Sequence, residues 1–353
     1  MDNVFYDGTK LLSLKDIEGN DPEIFIACGT RTAGKTTYYR RLVVNKFLKK
    51  KQKFIVLVRW GYQLKDIEDS FFKDIRELFF PWYTMTAEPL IDGKFKELFI
   101  HPNEQEELKK SCGYVIPIND AGIVKENSHF FTDAECMIFD EFQNIDNKYC
   151  PDEIKKFRSI HTSCARGRGK QVRYLPVYMM SNNVSLINPY FVALGISNRL
   201  DDKTKFLRGT GFVLEITNNE NAKNAIKSSG FNRAWIDDDV VQHEAENKYL
   251  NDNSAFVEKM EGKSTYLCTL KYNGKEYAIR SYDEQGIVYC DNRADSSFPT
   301  KFCVTTDDHG VNYVMLKNND FFFAKLRYFF KMGCFRFRDL NCKEALINSI
   351  AYH

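Results

Sequence analysis

Gly29-Thr30-Arg31-Thr32-Ala33-Gly34-Lys35-Thr36 decides how this chain is read. The octapeptide satisfies G-x-x-x-x-G-K-[ST] and lies between an apolar run, Ile24-Phe-Ile-Ala-Cys28, and a helix-compatible segment, Lys35 to Lys50. A strand feeding such a turn into a helix is a P-loop. Its glycines let the backbone wrap so that successive N–H groups face phosphate oxygens, and the helix N-terminus adds a positive dipole end. Residues 29–36, with Thr37 behind them, are therefore the candidate cradle for ATP. Lys35 would reach the β- and γ-phosphates, and the Thr36 hydroxyl would ligate Mg²⁺.

Outward from the loop, Lys53-Phe-Ile-Val-Leu-Val-Arg59, Glu135-Cys-Met-Ile-Phe-Asp140 and Val172 to Met180 read as further strands, the last with Pro176 marking a bulge. Runs apolar on both faces, separated by helix-length segments, predict an α/β fold with a mostly parallel sheet covered on both sides. A P-loop needs a magnesium-side carboxylate on a neighbouring strand. Met137-Ile-Phe-Asp140-Glu141 supplies one, with Asp140 the candidate metal residue and Glu141 placed to orient and deprotonate water. Ser181-Asn182-Asn183 follows the next strand, where Asn182 either senses the γ-phosphate or merely makes a turn.

Composition sets the outer limits. The 353 residues are 43% hydrophobic and 28% charged, which is globular and excludes a wholly disordered or collagen-like chain. Fifty basic residues against 48 acidic ones leave a formal charge of +2, so any nucleic-acid surface must be a local patch. No apolar run approaches the roughly 18–20 residues that cross a bilayer, so no membrane role is expected. The N-terminus lacks a signal-peptide pattern, and the ten scattered cysteines have neither C-x-x-C nor zinc-like spacing; reduced thiols in a cytosolic compartment are expected.

The expected organisation is a P-loop NTPase domain over 1–200, a polar linker over 201–253 and a smaller α+β domain over 254–353. In the last, Tyr266 to Tyr272, Asn273-Gly274 and Glu276 to Arg280 predict a type I′ hairpin. Residues 286–290 and 302–305 add strands, and 321–351 read as helical. Basic positions carry open alternatives. Arg166 and Arg168, in the Gly-rich loop Ala165-Arg-Gly-Arg-Gly-Lys170, have the reach of an arginine finger, yet also suit a DNA-backbone contact or a solvated loop. Lys325, Arg327, Lys331, Arg336 and Arg338 are interleaved with aromatics and no acid, which suits nucleic-acid binding unless the aromatics are core.

With these segments together, the sequence resembles the genome-packaging motor ATPases of small podoviruses, an additional-strand P-loop group similar to large terminase subunits. GTRTAGKT, MIFDEF, the ARGR loop, Ser181-Asn-Asn-Val-Ser-Leu-Ile-Asn-Pro-Tyr-Phe191, the Thr305–Asp308 segment TTDD and the closing INSIAY carry the likeness over almost the whole chain. The resemblance implies a homomeric ring, typically a pentamer, docked on a portal at a procapsid in the host cytoplasm and driving double-stranded DNA inward. It implies Arg166 as a trans-acting finger with Arg168 the close alternative, and Lys125 as a basic residue acting across the subunit interface in nucleotide exchange. It also implies an RNase H-like C-terminal domain without its catalytic acids, hence no nuclease activity, and a structural procapsid RNA, with the basic tail a contact for that RNA or for the portal. A P-loop helicase or segregation-type DNA translocase, and a non-enzymatic nucleotide-gated assembly factor, are the rival readings; Glu141 speaks against the last.

Overall fold

A computed structural model describes residues 5–145, 148–167, 169, 171–186, 188–196, 199–200, 204–234 and 256–351. The described residues fall into two compact units, one built mainly from the chain up to residue 234 and the other mainly from residue 256 onward.

The first unit is organised by a nine-stranded sheet. Its strands are β1 (Ile24–Gly29), β2 (Lys53–Val58), β3 (Tyr83–Leu90), β4 (Phe95–Pro102), β5 (Lys110–Pro117), β6 (Ala134–Asp140), β7 (Val177–Met180), β8 (Phe206–Gly209) and β9 (Phe212–Thr217). The spatial order is β3-β4-β5-β2-β6-β7-β1-β9-β8. The six strands from β5 to β9 are parallel to one another, while β3, β4 and β8 add antiparallel edges. The continuous apolar runs that predicted buried parallel strands are inside: β1 and β2 each bury five residues in a row. Against one face, the Lys35–Lys50 helix packs Tyr39, Val43, Val44 and Phe47 with Phe25, Phe54, Ile138 and Tyr178. Each such side chain fully buried contributes roughly 1.5–3 kcal/mol.

Two sequence expectations are corrected in this unit. The strand expected over 172–180 begins only at Val177. Pro176 still uses its carbonyl to accept from Met137 N–H, but it and the residues before it form an irregular approach. The linker expected from residue 201 is interrupted at once: β8 and β9 belong to the main sheet, and all six residues of β1 register with Phe212–Thr217. Both strands are short and lie between polar flanks, which hid them. Most of the remaining linker segment, 235–253, lies outside the described residues.

The second unit carries a six-stranded sheet, β14-β13-β10-β11-β12-β15 in order, from β10 (Thr265–Tyr272), β11 (Lys275–Tyr282), β12 (Ile287–Asp291), β13 (Lys301–Cys303), β14 (Val314–Met315) and β15 (Phe335–Phe337). An antiparallel meander, β10-β11-β12, with β13 and then β14 added parallel beside β10, is the RNase H-like arrangement. The Asn273-Gly274 turn has both residues at positive φ, 50° and 73°, as the type I′ hairpin requires. Asp308, the last residue of TTDD, is buried and accepts from Asn273 N–H (2.8 Å), Gly274 N–H (2.7 Å) and Thr305 Oγ1 (2.9 Å). That motif therefore serves the turn. The tail is not one helical stretch. β15 separates the Asp320–Lys331 helix from the Leu340–Ala351 helix, because Gly333, at φ 72°, ends the first and Phe335 and Phe337 alternate into the core.

Candidate active site

Parallel strands deliver their C-terminal ends to one edge of a sheet, and the order of this sheet decides what meets there. β7 stands between β1, which feeds the P-loop, and β6, which ends in Asp140. Met180 registers with both Ala27 and Asp140, so Ser181-Asn182-Asn183 emerges at the level of the loop on one side and of Asp140-Glu141 on the other. This inserted strand is the additional strand of its P-loop class, and it opens a crevice at the carboxyl ends of the strands.

The loop itself is held under strain. Gly29 has φ 133°, and a Cβ there would stand 2.1 Å from the Thr217 carbonyl oxygen, so β9 approaches too closely for any other residue. Thr32, a β-branched residue, takes φ 59°, a conformation such side chains rarely adopt. Gly34 at φ 94° then opens the helix. Thr30 is buried, donates its N–H to the Thr217 carbonyl at 3.3 Å and accepts from Asn219 N–H at 3.2 Å. Tyr6 N–H donates to the Ala33 carbonyl at 2.8 Å, and its hydroxyl donates to Glu215 at 2.8 Å, tying the N-terminal segment to the loop. Arg31 and Thr32 are exposed, and Thr37 is half-buried on the helix.

Lys35 is buried, and its Nζ donates to the carbonyls of Gly29 (3.1 Å) and Thr30 (2.7 Å), curling back into the hollow that its own loop encloses. Burial pushes the ammonium down to about 8, with Cys28 and Asp140 opposing. A phosphate would favour the charged form and raise that value again. Nucleotide affinity is therefore expected to be steady below pH 8 and to fall above it, by at most roughly tenfold per pH unit, because binding must then take up a proton. Calorimetry at pH 8.5 in buffers of different ionisation enthalpy should register that uptake.

Thr36 Oγ1 donates to Asp140 Oδ1 at 3.0 Å, joining P-loop helix and β6. Glu141, one residue on, is exposed and takes φ 51°, a strained turn that lifts its side chain off the strand line. The hydroxyl of Thr36 and the carboxylates of Asp140 and Glu141 form a hard-oxygen set at the mouth of a backbone cradle with a lysine inside. These residues fit Mg²⁺ bound together with a nucleotide phosphate.

Sequence reasoning missed what braces the glutamate turn. Arg59, at the end of β2, is buried and donates Nε to both carboxylate oxygens of Glu153 (3.0 and 2.9 Å) and Nη2 to the Phe142 carbonyl at 2.8 Å. Glu153 also accepts from Tyr190 Oη at 2.7 Å and from Cys150 N–H at 2.8 Å. Burial and the Glu153 carboxylate hold the Tyr190 phenol well above its usual value, so it remains a neutral donor. Gln143 Oε1, likewise buried, accepts from the backbone N–H groups of Val184 (3.1 Å) and Ser185 (3.0 Å). The residues after Glu141 are thereby fastened to the Ser181–Phe191 segment. Asn188 caps the short helix carrying Tyr190 by accepting from Phe191 N–H at 3.0 Å. The only sequence signal was the S-N-N-V-S…N-P-Y-F string itself, whose partners Gln143 and Glu153 lie up to 42 residues away.

Other expected site residues lie elsewhere. Arg166 is exposed in the loop after the Glu153–Cys164 helix, at the opposite edge of the sheet from the crevice. Its neighbourhood marks that edge: Arg173 N–H donates to the Ala165 carbonyl, and Leu175 N–H bonds Glu23 just before β1. Lys125 is exposed on the Ala121–Glu126 helix. Neither joins the P-loop within one chain. Arg168 lies outside the described residues. In the tail, Arg336 pairs with Glu258 at 2.7 Å, and Arg338 faces Asp291 at 3.7 Å, so both serve their own unit. Lys325, Arg327 and Lys331 are exposed, on a helix that also exposes Phe321 and Tyr328.

A family profile described as podovirus DNA encapsidation protein (Gp16) matches residues 1–352. The chain belongs to this family. The DNA packaging protein of Bacillus phage phi29 is 24% identical over 357 residues, covering 99% of this chain and 96% of that protein. The DNA packaging protein of Bacillus phage B103 is 24% identical over 317 residues, covering 88% of this chain and 90% of that one. Among solved structures, the bacteriophage phi29 viral genome packaging motor assembly aligns at a TM-score of 0.66 with 22% identity, covering 99% of this chain and 98% of that chain. This likeness extends the shared fold across both units of the encapsidation-family chain.

Proposed function

We propose that this member of the family is the ATPase of a genome-packaging motor, hydrolysing ATP and using the energy to move double-stranded viral DNA into a procapsid as a homomeric ring, a pentamer by resemblance. The observation that carries the reading is the convergence of Lys35, Thr36, Asp140 and Glu141 at one crevice, in a chain matched to the encapsidation family from end to end. On this reading the backbone N–H groups of residues 29–36 bind the triphosphate, and Lys35 exchanges its loop carbonyls for phosphate oxygens. The nucleoside extends toward a recess of about 640 Å³ lined by Tyr6, Ala33, Glu215 and Asn219. Thr36 and Asp140 would hold Mg²⁺, which when bound neutralises phosphate charge. Glu141, lifted by its strained turn, orients the attacking water and accepts its proton. Asn182, two residues past the strand between the two halves of the site, registers loss of the γ-phosphate.

Arg166, the described arginine of the 165–170 loop, stands away from its own chain's crevice, which supports a finger donated by the next protomer. Arg166 takes that role, with Arg168 as the alternative, and Lys125 acts across the same seam. An arginine that reaches developing phosphate charge is worth roughly 10³–10⁵ in rate. Exposed Lys325, Arg327 and Lys331 are the tail positions available to a procapsid RNA. Contacts to phosphates carry no base information, which suits a motor indifferent to sequence. Absence of nuclease activity is supported by β10, which carries no carboxylate, and by Asp291 and Asp308, both committed to partners within the unit.

With procapsids, linear duplex and ATP, the chain should protect DNA from added nuclease, and omission of ATP should abolish protection. Arg166→Ala should bind ATP yet fail in this assay. Mixing it with Lys35→Ala, which keeps its arginine but lacks a working cradle, should restore part of the hydrolysis at the mixed seams. No restoration would place the arginine's action within its own chain or remove it from the chemistry.

A further inference from the structure

Thr36 and Arg40 stand four residues apart on the Lys35–Lys50 helix, so both side chains leave the same face. There they divide one carboxylate: Thr36 Oγ1 donates to Asp140 Oδ1, and Arg40 Nη2 donates to Asp140 Oδ2, each at 3.0 Å. Glu141 N–H adds a second donor to Oδ1 at 3.1 Å. The remainder of the guanidinium is anchored on the far side, where Nη1 donates to the Ser70 carbonyl at 2.7 Å and the group lies 5.4 Å from the Phe71 ring centre. Arg40 Nε is buried without a hydrogen-bond partner among the described residues, so this pose leaves one donor unsatisfied. Arg40, Asp140 and Glu141 also share the wall of a cavity of about 390 Å³.

We propose that Arg40 is a positioning residue that sets the divalent-cation affinity of the site, acting through Asp140 as the cation's electrostatic stand-in until Mg²⁺ arrives with nucleotide. The proposal rests on the ATPase reading given above. A carboxylate already paired with a guanidinium attracts a second cation less, and a fixed positive charge beside a divalent ion repels it. Orientation does not depend on Arg40 alone, because Thr36 and the Glu141 amide hold Oδ1 in its absence. Charge therefore outweighs positioning in what Arg40 contributes to cation affinity. A site poised in this way binds Mg²⁺ only when nucleotide phosphates add their own ligands, and releases it readily once they leave.

The test is Mg²⁺ titration of the full chain in the presence of a fluorescent ATP analogue. The half-saturating Mg²⁺ concentration should fall about tenfold in Arg40→Gln, within the range by which groups behind metal ligands tune affinity. Arg40→Lys keeps the charge and should stay within about twofold of the parent. Arg40→Met retains the aliphatic stem over Phe71 and serves as a second charge-free variant with the same expected fall. Binding of the analogue in EDTA should be equal in all four proteins. A rise in half-saturating Mg²⁺ for the charge-free variants, or an equal fall in Arg40→Lys, would overturn the proposal. A parent chain that binds no nucleotide in either buffer would instead overturn the ATPase reading beneath it.

Discussion

Glu141→Gln is expected to bind ATP with the affinity of the parent and to turn it over roughly 10²–10⁴ times more slowly, the usual share of a positioned general base. The amide has nearly the shape of the carboxylate, so it fills the same strained turn at φ 51° and leaves the Thr36–Asp140 bond in place. What it lacks is a basic oxygen. Single-turnover hydrolysis of radiolabelled ATP, measured beside equilibrium binding, separates the two effects. Wild-type turnover in the variant would mean that the exposed glutamate does not accept the proton. Loss of binding would place Glu141 in the cradle.

The second large effect concerns stability. Glu153→Ala removes the only carboxylate facing the buried Arg59 among the described residues, and it also takes the acceptor from Tyr190 and Cys150. Breaking one side of a buried pair leaves an uncompensated charge and costs about 3–5 kcal/mol. For a unit of this size that is roughly a 6–20 °C drop in melting temperature. Arg59→Met combined with Glu153→Leu should recover much of the lost stability, because burial without charge is no longer penalised. It should not recover hydrolysis, since the Phe142 carbonyl behind the glutamate turn has still lost its donor. Calorimetric melts together with turnover rates decide the point. A double variant with full hydrolysis would reduce the network to a structural role.

The P-loop, the Asp140-Glu141 pair and the parallel character of the central strands were legible because their signals are local. A glycine spacing, a β-branched run and a carboxylate at a strand end each report on adjacent residues. The hairpin at Asn273-Gly274 was legible for the same reason. β8 and β9 were hidden: each is short, sits among polar residues, and is held by its place in the sheet, β9 against β1 and β8 against β9, and not by its own pattern. The antiparallel edge β3-β4-β5 was equally unread. Arg40 carried no local signal, because its partner carboxylate lies 100 residues away.

Sequence alone determined the kind of chemistry, since a phosphate cradle and its acid pair require particular residue types at fixed spacing. Tertiary structure decided which distant groups share a carboxylate or brace a strained turn, and on which edge of the sheet each cation stands. Arg166 and Lys35 belong to segments that the sequence alone could set side by side. Strand order and crossover direction place them at opposite edges of one chain, for a strand's direction fixes which loop meets which end. Such geometry follows from packing summed over the whole sheet, and no window of neighbouring residues contains it.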